Sequence, residues 1–341
     1  MIKVLTSSPL VTVQDLGRHG QRRLGIGTAG AMDRLALTVA NLMLQNDPAA
    51  AAIEVTGSPL RISFQRDTAV ALTGADAEAS IDGVGIPPWW MTTVRAGSVL
   101  NMKAPCEGLR CYLGLGGGID LPLVQGSRST DVKSAFGGMC GRGLLEGDEL
   151  ALLPSHLDTC GSARPTNFGV RSPRFSMDLV SAGDEAGDLT PLRILPGPQY
   201  DCFKCEAKNL LWSDSWAVQP DSNRMGLRLS GAALEQQRPQ ELLSHGIIPG
   251  VVQVPSSGQP IIQAADGNTC GGYPIIGVVI GADLWRIGQV RPGRRVRFIR
   301  VDWRAARDAL AEYDKYLQRM TGLIALAYAA GAPTETRALG V

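Results

Sequence analysis

The stretch Ser244-His245-Gly246-Ile247-Ile248-Pro249-Gly250-Val251-Val252-Gln253-Val254-Pro255-Ser256-Ser257-Gly258-Gln259-Pro260, followed by Ile261-Ile262, decides how this chain reads. Val251 to Val254 and Pro260-Ile261-Ile262 are short apolar runs, the pattern of short strands. Gln253 lies inside the first of them, where an uncharged amide must find hydrogen-bond partners or destabilise its surroundings. Working outward, strand signals recur at Leu192-Arg193-Ile194-Leu195, at Ile275 to Ile280 and at Arg294 to Val301. The same signature fills the N-terminal half: Leu60-Arg61-Ile62-Ser63-Phe64 alternates, and Ala69 to Leu72, Val99 to Met102 and Arg110 to Leu113 continue the series. Gly57-Ser58-Pro59, Asp82-Gly83, Ala96-Gly97 and Glu146-Gly147-Asp148 punctuate these runs as turns. Short strands so spaced predict a barrel or sandwich rather than a βαβ sheet.

Helices are few. One is expected after Asp33, a capping residue, with Leu35, Val39, Leu42 and Met43 at helical spacing and Asn46-Asp47-Pro48 ending it. A second is expected from Trp303, where Ala306, Leu310, Tyr313, Leu317 and Met320 recur every three or four residues. From Pro154 to about Leu192 the pattern dissolves into polar and turn-forming residues, with Phe168, Phe175 and Met177 as packing points. The halves also echo each other. Arg22 to Gly30 parallels Asn223 to Gly231, Glu54 to Ser58 parallels Gln253 to Ser257, and Val94 to Gly97 parallels Val290 to Gly293. The ordered series predicts two copies of one β-rich unit. The expected division is a first unit over 1–153, a linker over 154–191, a second unit over 192–302 and a helical tail over 303–341.

Composition narrows the function. Of 341 residues, 44% are hydrophobic and 19% charged, which is enough apolar material for sizeable cores. The formal net charge of +1 argues against nucleic acid as a partner, and the basic run Arg291 to Arg300 alternates like a strand. Leu323 to Ala330 is far too short to span a membrane. No signal peptide is evident, and seven unevenly spaced cysteines suit a reducing compartment, so a cytoplasmic location is expected. Phosphate-loop and dinucleotide fingerprints are absent. His19, His156 and His245 lack metal-ligand spacing, and Cys202-Phe203-Lys204-Cys205 is a single C-x-x-C without a second pair, so no metal site is expected in this chain.

The opening stretch, with Asp266-Gly267-Asn268-Thr269-Cys270-Gly271-Gly272-Tyr273-Pro274 and Asn223-Arg224-Met225-Gly226-Leu227-Arg228, resembles the allophanate-hydrolase-subunit-2 family. Thr12 to Gly20, Gly30-Ala31-Met32-Asp33 with Asn41, Gly116 to Asp120 and Gly126 to Asp131 fit the same family, so the resemblance runs from about residue 11 to 300. That family holds the carboxyltransferase A/B domains of urea carboxylase, the antagonist of the sporulation-kinase inhibitor, and the C subunits of 5-oxoprolinase. The resemblance implies a mainly β fold with some helix, built as two tandem cyclophilin-like β-barrel units.

A stand-alone chain of this length, with no biotin-carrier lysine in a Met-Lys-Met context, is similar to the oxoprolinase branch. The resemblance then implies a multisubunit, ATP-dependent lactam hydrolase that opens 5-oxo-L-proline to L-glutamate. It implies an A-type subunit and a B-type subunit with carboxyltransferase C/D domains as partners, ATP and Mg²⁺ at the level of the complex, and no biotin on this chain. Two alternatives stay open: a carboxyltransferase half of a biotin-dependent urea or amide carboxylase, and a regulatory protein that binds the B-type partner.

Opening a stable lactam calls for a cation for the substrate carboxylate, a carboxylate for metal or water, and amides to orient a neutral ring. Within the matched motifs Arg224, Asp266 and Gln253 are the catalytic candidates. Asn223, Gln259, Gly271, Gly272 and Tyr273 are the substrate-binding candidates. Each has a structural alternative. Arg224 could form a salt bridge, Asp266 could open a turn, Gln253 could only pack, the glycines could mark a bulge, and Tyr273 could belong to the core.

Overall fold

The computed structural model describes residues 1–155, 167–173, 189–238, 242–329 and 338–339. His156, Phe175 and Met177 fall outside them, as does most of the segment read as a linker. The chain divides into two compact units. One comprises Met1–His19, Ala29–Arg174 and Lys315–Val341; the other comprises Gly20–Thr28 and Phe175–Asp314. Each unit is therefore assembled from separated pieces of sequence.

In the first unit the strands form two sheets. Glu149–Leu150, Ile2–Thr6, Leu60–Phe64, Val99–Met102, Ser80–Ile81 and Val84–Gly85 pair in that order. Val11–Gln14, Ala52–Thr56, Arg110–Leu115, Thr68–Gly74, Trp90–Val94, Asn167–Val170 and Ala338–Leu339 make the other. The apolar run within Thr68–Gly74 shows how one strand can be buried on both sides. Val70 and Leu72 enter a core with Ile2, Val13, Ile53, Ile62 and Leu113. Ala69 and Ala71 point the other way, beneath the helix Arg34–Met43. Small side chains on that face let the helix come close, and Gly114 on the adjacent strand does the same: a Cβ there would lie 2.9 Å from Leu44 Cδ1. Asp33 caps the helix by accepting the Ala36 N–H at 2.9 Å, as its position in the sequence predicts.

The second unit contains a closed seven-stranded barrel. Leu189–Pro196, Ile275–Val279, Val251–Gln253, Ile261–Gln263, Gly226–Ser230, Trp216–Val218 and Arg295–Arg300 follow one another around it, and the last strand pairs back to the first in parallel. Closure leaves no sheet edge to aggregate. The terminal helix, Trp303–Ala329, serves both units in turn. Ala306, Ala309 and Tyr313 pack on Ile280 and Ala282 in the second, whereas Met320 and Ile324 join the helix cluster of the first, where the Tyr328 hydroxyl donates to the Met43 carbonyl at 2.7 Å. Among the described residues no helix is long and apolar enough to cross a membrane.

The mainly β reading with few helices therefore holds. Closure into a barrel is found in the second unit, while the strands of the first are divided between two sheets. The equivalence of Gly25 with Gly226 that the sequence echo implies is not met locally. Gly25 ends a short 3-10 turn at φ 79° within the second unit, whereas Gly226 opens a barrel strand. Asn167–Val170, inside the segment read as a linker, is a strand paired with Trp90–Val94.

Burial also sets cysteine chemistry. Cys111 lies in the core of the first unit and its thiol pKa is pushed up to about 12 by burial, with Asp76 adding to the shift. Cys106, Cys140, Cys205 and Cys270 are exposed. Because the thiolate is the reactive species, iodoacetamide at pH 8 is expected to label those four and leave Cys111 unmodified until the chain is unfolded. Peptide mass spectrometry reads the outcome, and labelling of Cys111 at the rate of the others would contradict its burial.

Candidate functional site

Six of the eight residues singled out in the sequence line one cleft of about 660 Å³ at the barrel of the second unit: Asn223, Gln253, Gln259, Gly271, Gly272 and Tyr273. Arg228, Gln263, Asn268 and Ser257 line it with them. A neighbouring recess of about 1040 Å³ shares Pro255, Ser257, Gly272 and Tyr273 with it. The described lining is dominated by amides and hydroxyls, a surface for a polar ligand with little net charge.

Strand pairing brings the amides together. Gln253 sits opposite Ile261, so Gln263, two residues on, shares its face of the sheet as a diagonal neighbour. Val252 and Ile262, on the other face, are fully buried. Gln263 Nε2 donates to Gln253 Oε1 at 2.8 Å, and Gln253 Nε2 donates to the Tyr273 carbonyl at 3.3 Å. The partners that a buried amide at position 253 requires are thus a second amide and a backbone carbonyl. Gly271 leaves the room: a Cβ there would lie 3.0 Å from Gln253 Nε2. At Gly272 a Cβ would come within 2.8 Å of the Leu242 carbonyl oxygen.

Asn223 and Gln259 shape the wall instead. Asn223 Oδ1 accepts the Met225 N–H at 2.8 Å, fixing the turn that enters the strand Gly226–Ser230. Gln259 grips both backbone groups of Gly231, accepting its N–H at 2.9 Å and donating to its carbonyl at 3.2 Å, much as a neighbouring strand would. Tyr273 is half-exposed on the rim rather than in the core.

Arg224 and Asp266 are not among the lining residues. They face each other in a bidentate pair, Nε to Oδ2 and Nη2 to Oδ1, both at 2.8 Å, and the Asp266 N–H donates to the Arg224 carbonyl. The pair ties the Asn223 turn to the turn after Gln263, and both side chains are largely buried. The cation that does line the cleft is Arg228, exposed and paired with Asp221 at 3.0 Å. Arg228 and Gln263 also line the cleft, although the motifs do not single them out. The alternation Leu227-Arg228-Leu229 already points Arg228 away from two buried leucines, but nothing local marks Gln263, whose role depends on strand register.

One more element belongs to this unit. Arg22, on the segment Gly20–Thr28, donates through Nη2 to the carbonyls of Ile247 and Asn268, the latter at 2.9 Å, and burial lowers its pKa. It thereby holds the ends of the short ladder that pairs His245–Gly246 with Cys270–Gly271, the second of which brings Gly271 to the cleft.

The donor set does not fit a magnesium nucleotide. Among the described lining residues the only carboxylate is Asp221, engaged by Arg228, and no group of three or more metal-ligating side chains occurs among the described residues. Cys202 and Cys205 are separated by two extended residues, Phe203 and Lys204. Extended links place their Cα atoms roughly 9 Å apart, beyond the ~7 Å reach of a disulfide.

Residues 24–300 match the family model for the carboxyltransferase domain, subdomains A and B. The 5-oxoprolinase C subunit of Escherichia coli (strain K12) is 38% identical over 320 residues, covering 94% of this chain and 97% of that protein. Its counterpart from Haemophilus influenzae is 38% identical over 324 residues, covering 95% and 99%. Among solved structures, the Kluyveromyces lactis urea carboxylase aligns with a TM-score of 0.82 at 28% identity over 94% of this chain. The chain spans only 29% of that structure, and 20% of the K. lactis urea amidolyase, which aligns equally well. The match over most of the sequence, together with near-complete coverage of two relatives, shows that the chain belongs to the carboxyltransferase domain family, subdomains A and B.

Proposed function

We propose that the chain is the C subunit of an ATP-dependent 5-oxoprolinase, acting with A-type and B-type subunits to hydrolyse 5-oxo-L-proline to L-glutamate. The observation that carries this reading is the match to two 5-oxoprolinase C subunits, which takes in nearly the whole of both relatives. The cleft is compatible with it: a small, neutral, hydrogen-bonding ring with one carboxylate needs amides and one cation, and Gln253, Gln263, Ser257 and Arg228 are of those types. In this proposal Arg228 exchanges Asp221 for the substrate carboxylate, and Arg224 with Asp266 holds the turns that aim the lining residues. Gln253, Asn223, Gln259, Gly271, Gly272 and Tyr273 build the cleft surface. ATP and Mg²⁺ are assigned to the complex. The reading of both units as cyclophilin-like barrels belongs to the same proposal, supported by the ordered sequence echoes and by the closed barrel of the second unit.

Co-expression with both partner subunits, followed by measurement of ATP-dependent glutamate release from 5-oxoproline, tests the proposal. The chain alone is expected to release none, because the described lining of its cleft offers no activated nucleophile and no fit for a nucleotide. Sustained turnover by the isolated chain, with partners excluded by mass spectrometry, would contradict that expectation.

The structural likeness to urea carboxylase favours one second reading, transfer of a carboxyl group from a biotin carrier to urea or a related amide. Release of biotin-bound carboxylate in the presence of urea, and not of 5-oxoproline, would select it.

A further inference from the structure

We infer that Gln263 presents its side-chain carbonyl oxygen to the ligand and selects for a ring N–H at that point. The inference deepens the proposed function and rests on it. Its starting point is Tyr273, whose backbone carbonyl can only accept a hydrogen bond. Gln253 must therefore turn its Nε2 toward Tyr273, which leaves Oε1 facing Gln263. That oxygen can only accept, so Gln263 must turn its own Nε2 inward and its Oε1 outward. The orientation of both amides follows from this chain of donors and acceptors and needs no choice between nitrogen and oxygen positions.

Both links are buried, Gln253 at 2% and Gln263 at 8% exposure, so reversing either amide would set like atoms against each other in a poorly solvated place. Gly267 makes space for the outward oxygen, since a Cβ there would lie 2.8 Å from Gln263 Oε1. Among the described residues no donor reaches that oxygen, and Gln263 lines the cleft. The neighbouring Gln259 cannot take this part, because both ends of its amide are held by Gly231. A lactam supplies the complementary group, a ring N–H adjacent to the carbonyl that is to be opened. A ring with oxygen or carbon in that place would leave the acceptor unmet, and a fixed acceptor discriminates against such an isostere.

The test uses the complex reconstituted with its A-type and B-type partners, and the carbocyclic analogue of 5-oxoproline in which CH₂ replaces the ring N–H. Its inhibition constant against glutamate release is expected to exceed the KM for 5-oxoproline by about tenfold to a hundredfold. In Gln263→Met, which keeps length but offers no such acceptor, KM is expected to rise by about that factor while the analogue's inhibition constant stays within about threefold. Equal affinity of the wild-type complex for the two rings would overturn the inference, and so would a Gln263→Met variant that retains the full preference. If the variant does not fold, the wild-type comparison decides alone. A complex that releases no glutamate yet binds the lactam in calorimetry by that margin over its analogue would overturn the proposed function and leave the inference standing. Binding without preference would overturn the inference.

Discussion

Arg224→Ala is expected to destabilise the second unit by about 3–5 kcal/mol, the usual consequence of removing one partner from a buried ion pair. The Asp266 side chain is only 3% exposed, and its two oxygens each accept from the guanidinium at 2.8 Å. Without Arg224 the carboxylate keeps its burial and loses its bidentate partner. At roughly 2–4 °C per kcal/mol for a unit of this size, the unfolding midpoint should fall by some ~6–20 °C in a thermal scan. Asp266→Asn, which keeps the shape and one acceptor, should cost less. Turnover of the assembled complex should fall only as far as the folded fraction falls. A wild-type midpoint combined with lost turnover would return Arg224 to the ligand, in keeping with the role its motif first implied.

An effect of equal or greater size is expected at Asp283, which is fully buried. Its carboxylate accepts the Arg193 N–H and Nε at 2.9 Å, Arg193 Nη2 at 2.6 Å and Arg286 Nε at 3.3 Å. The hydrogen bond to Asp283 raises the Arg193 pKa, whereas burial lowers that of Arg286. Asp283→Ala would leave two largely buried guanidiniums facing each other, and a loss of about 3–5 kcal/mol or more is expected by denaturant titration. Replacing the whole triad with apolar residues of similar volume should recover most of that stability, because no unpaired buried charge then remains. A triple variant no more stable than Asp283→Ala would show that the triad's value lies in something other than charge compensation.

The parts of the fold that were legible in the sequence are those where one side-chain pattern meets one environment. Leu60–Phe64 alternates because one of its faces is buried, and Val99–Met102 and the helix after Asp33 fall where period and cap place them. The terminal helix starts at Trp303, as its spacing implies. The helix Cys205–Ser213 leaves little trace in the sequence, since only Ala207 and Leu211 are buried and no side chain caps it. Asn167–Val170 contains a glycine and lies next to polar sequence, so its pairing is a tertiary effect. In the cleft, the need of Gln253 for partners could be read from its apolar neighbours. The identity of those partners could not, because Gln263 reaches it only through the register of two paired strands. The bidentate closure of Arg224 on Asp266 is likewise a contact across 42 residues, invisible to any local pattern.

Arg22 and Asn268 are 246 positions apart, yet they meet within one unit. At about 5–20 residues per second, a ribosome that has made Arg22 needs roughly 12–50 s to make its acceptor. The first unit waits longer still, since it includes Lys315–Val341. Neither unit can therefore be completed before these distant segments have been made, and early β-rich segments stay incomplete over that interval. The distance between Arg22 and its acceptors therefore sets a minimum interval during which the early strands expose apolar faces that the finished units bury.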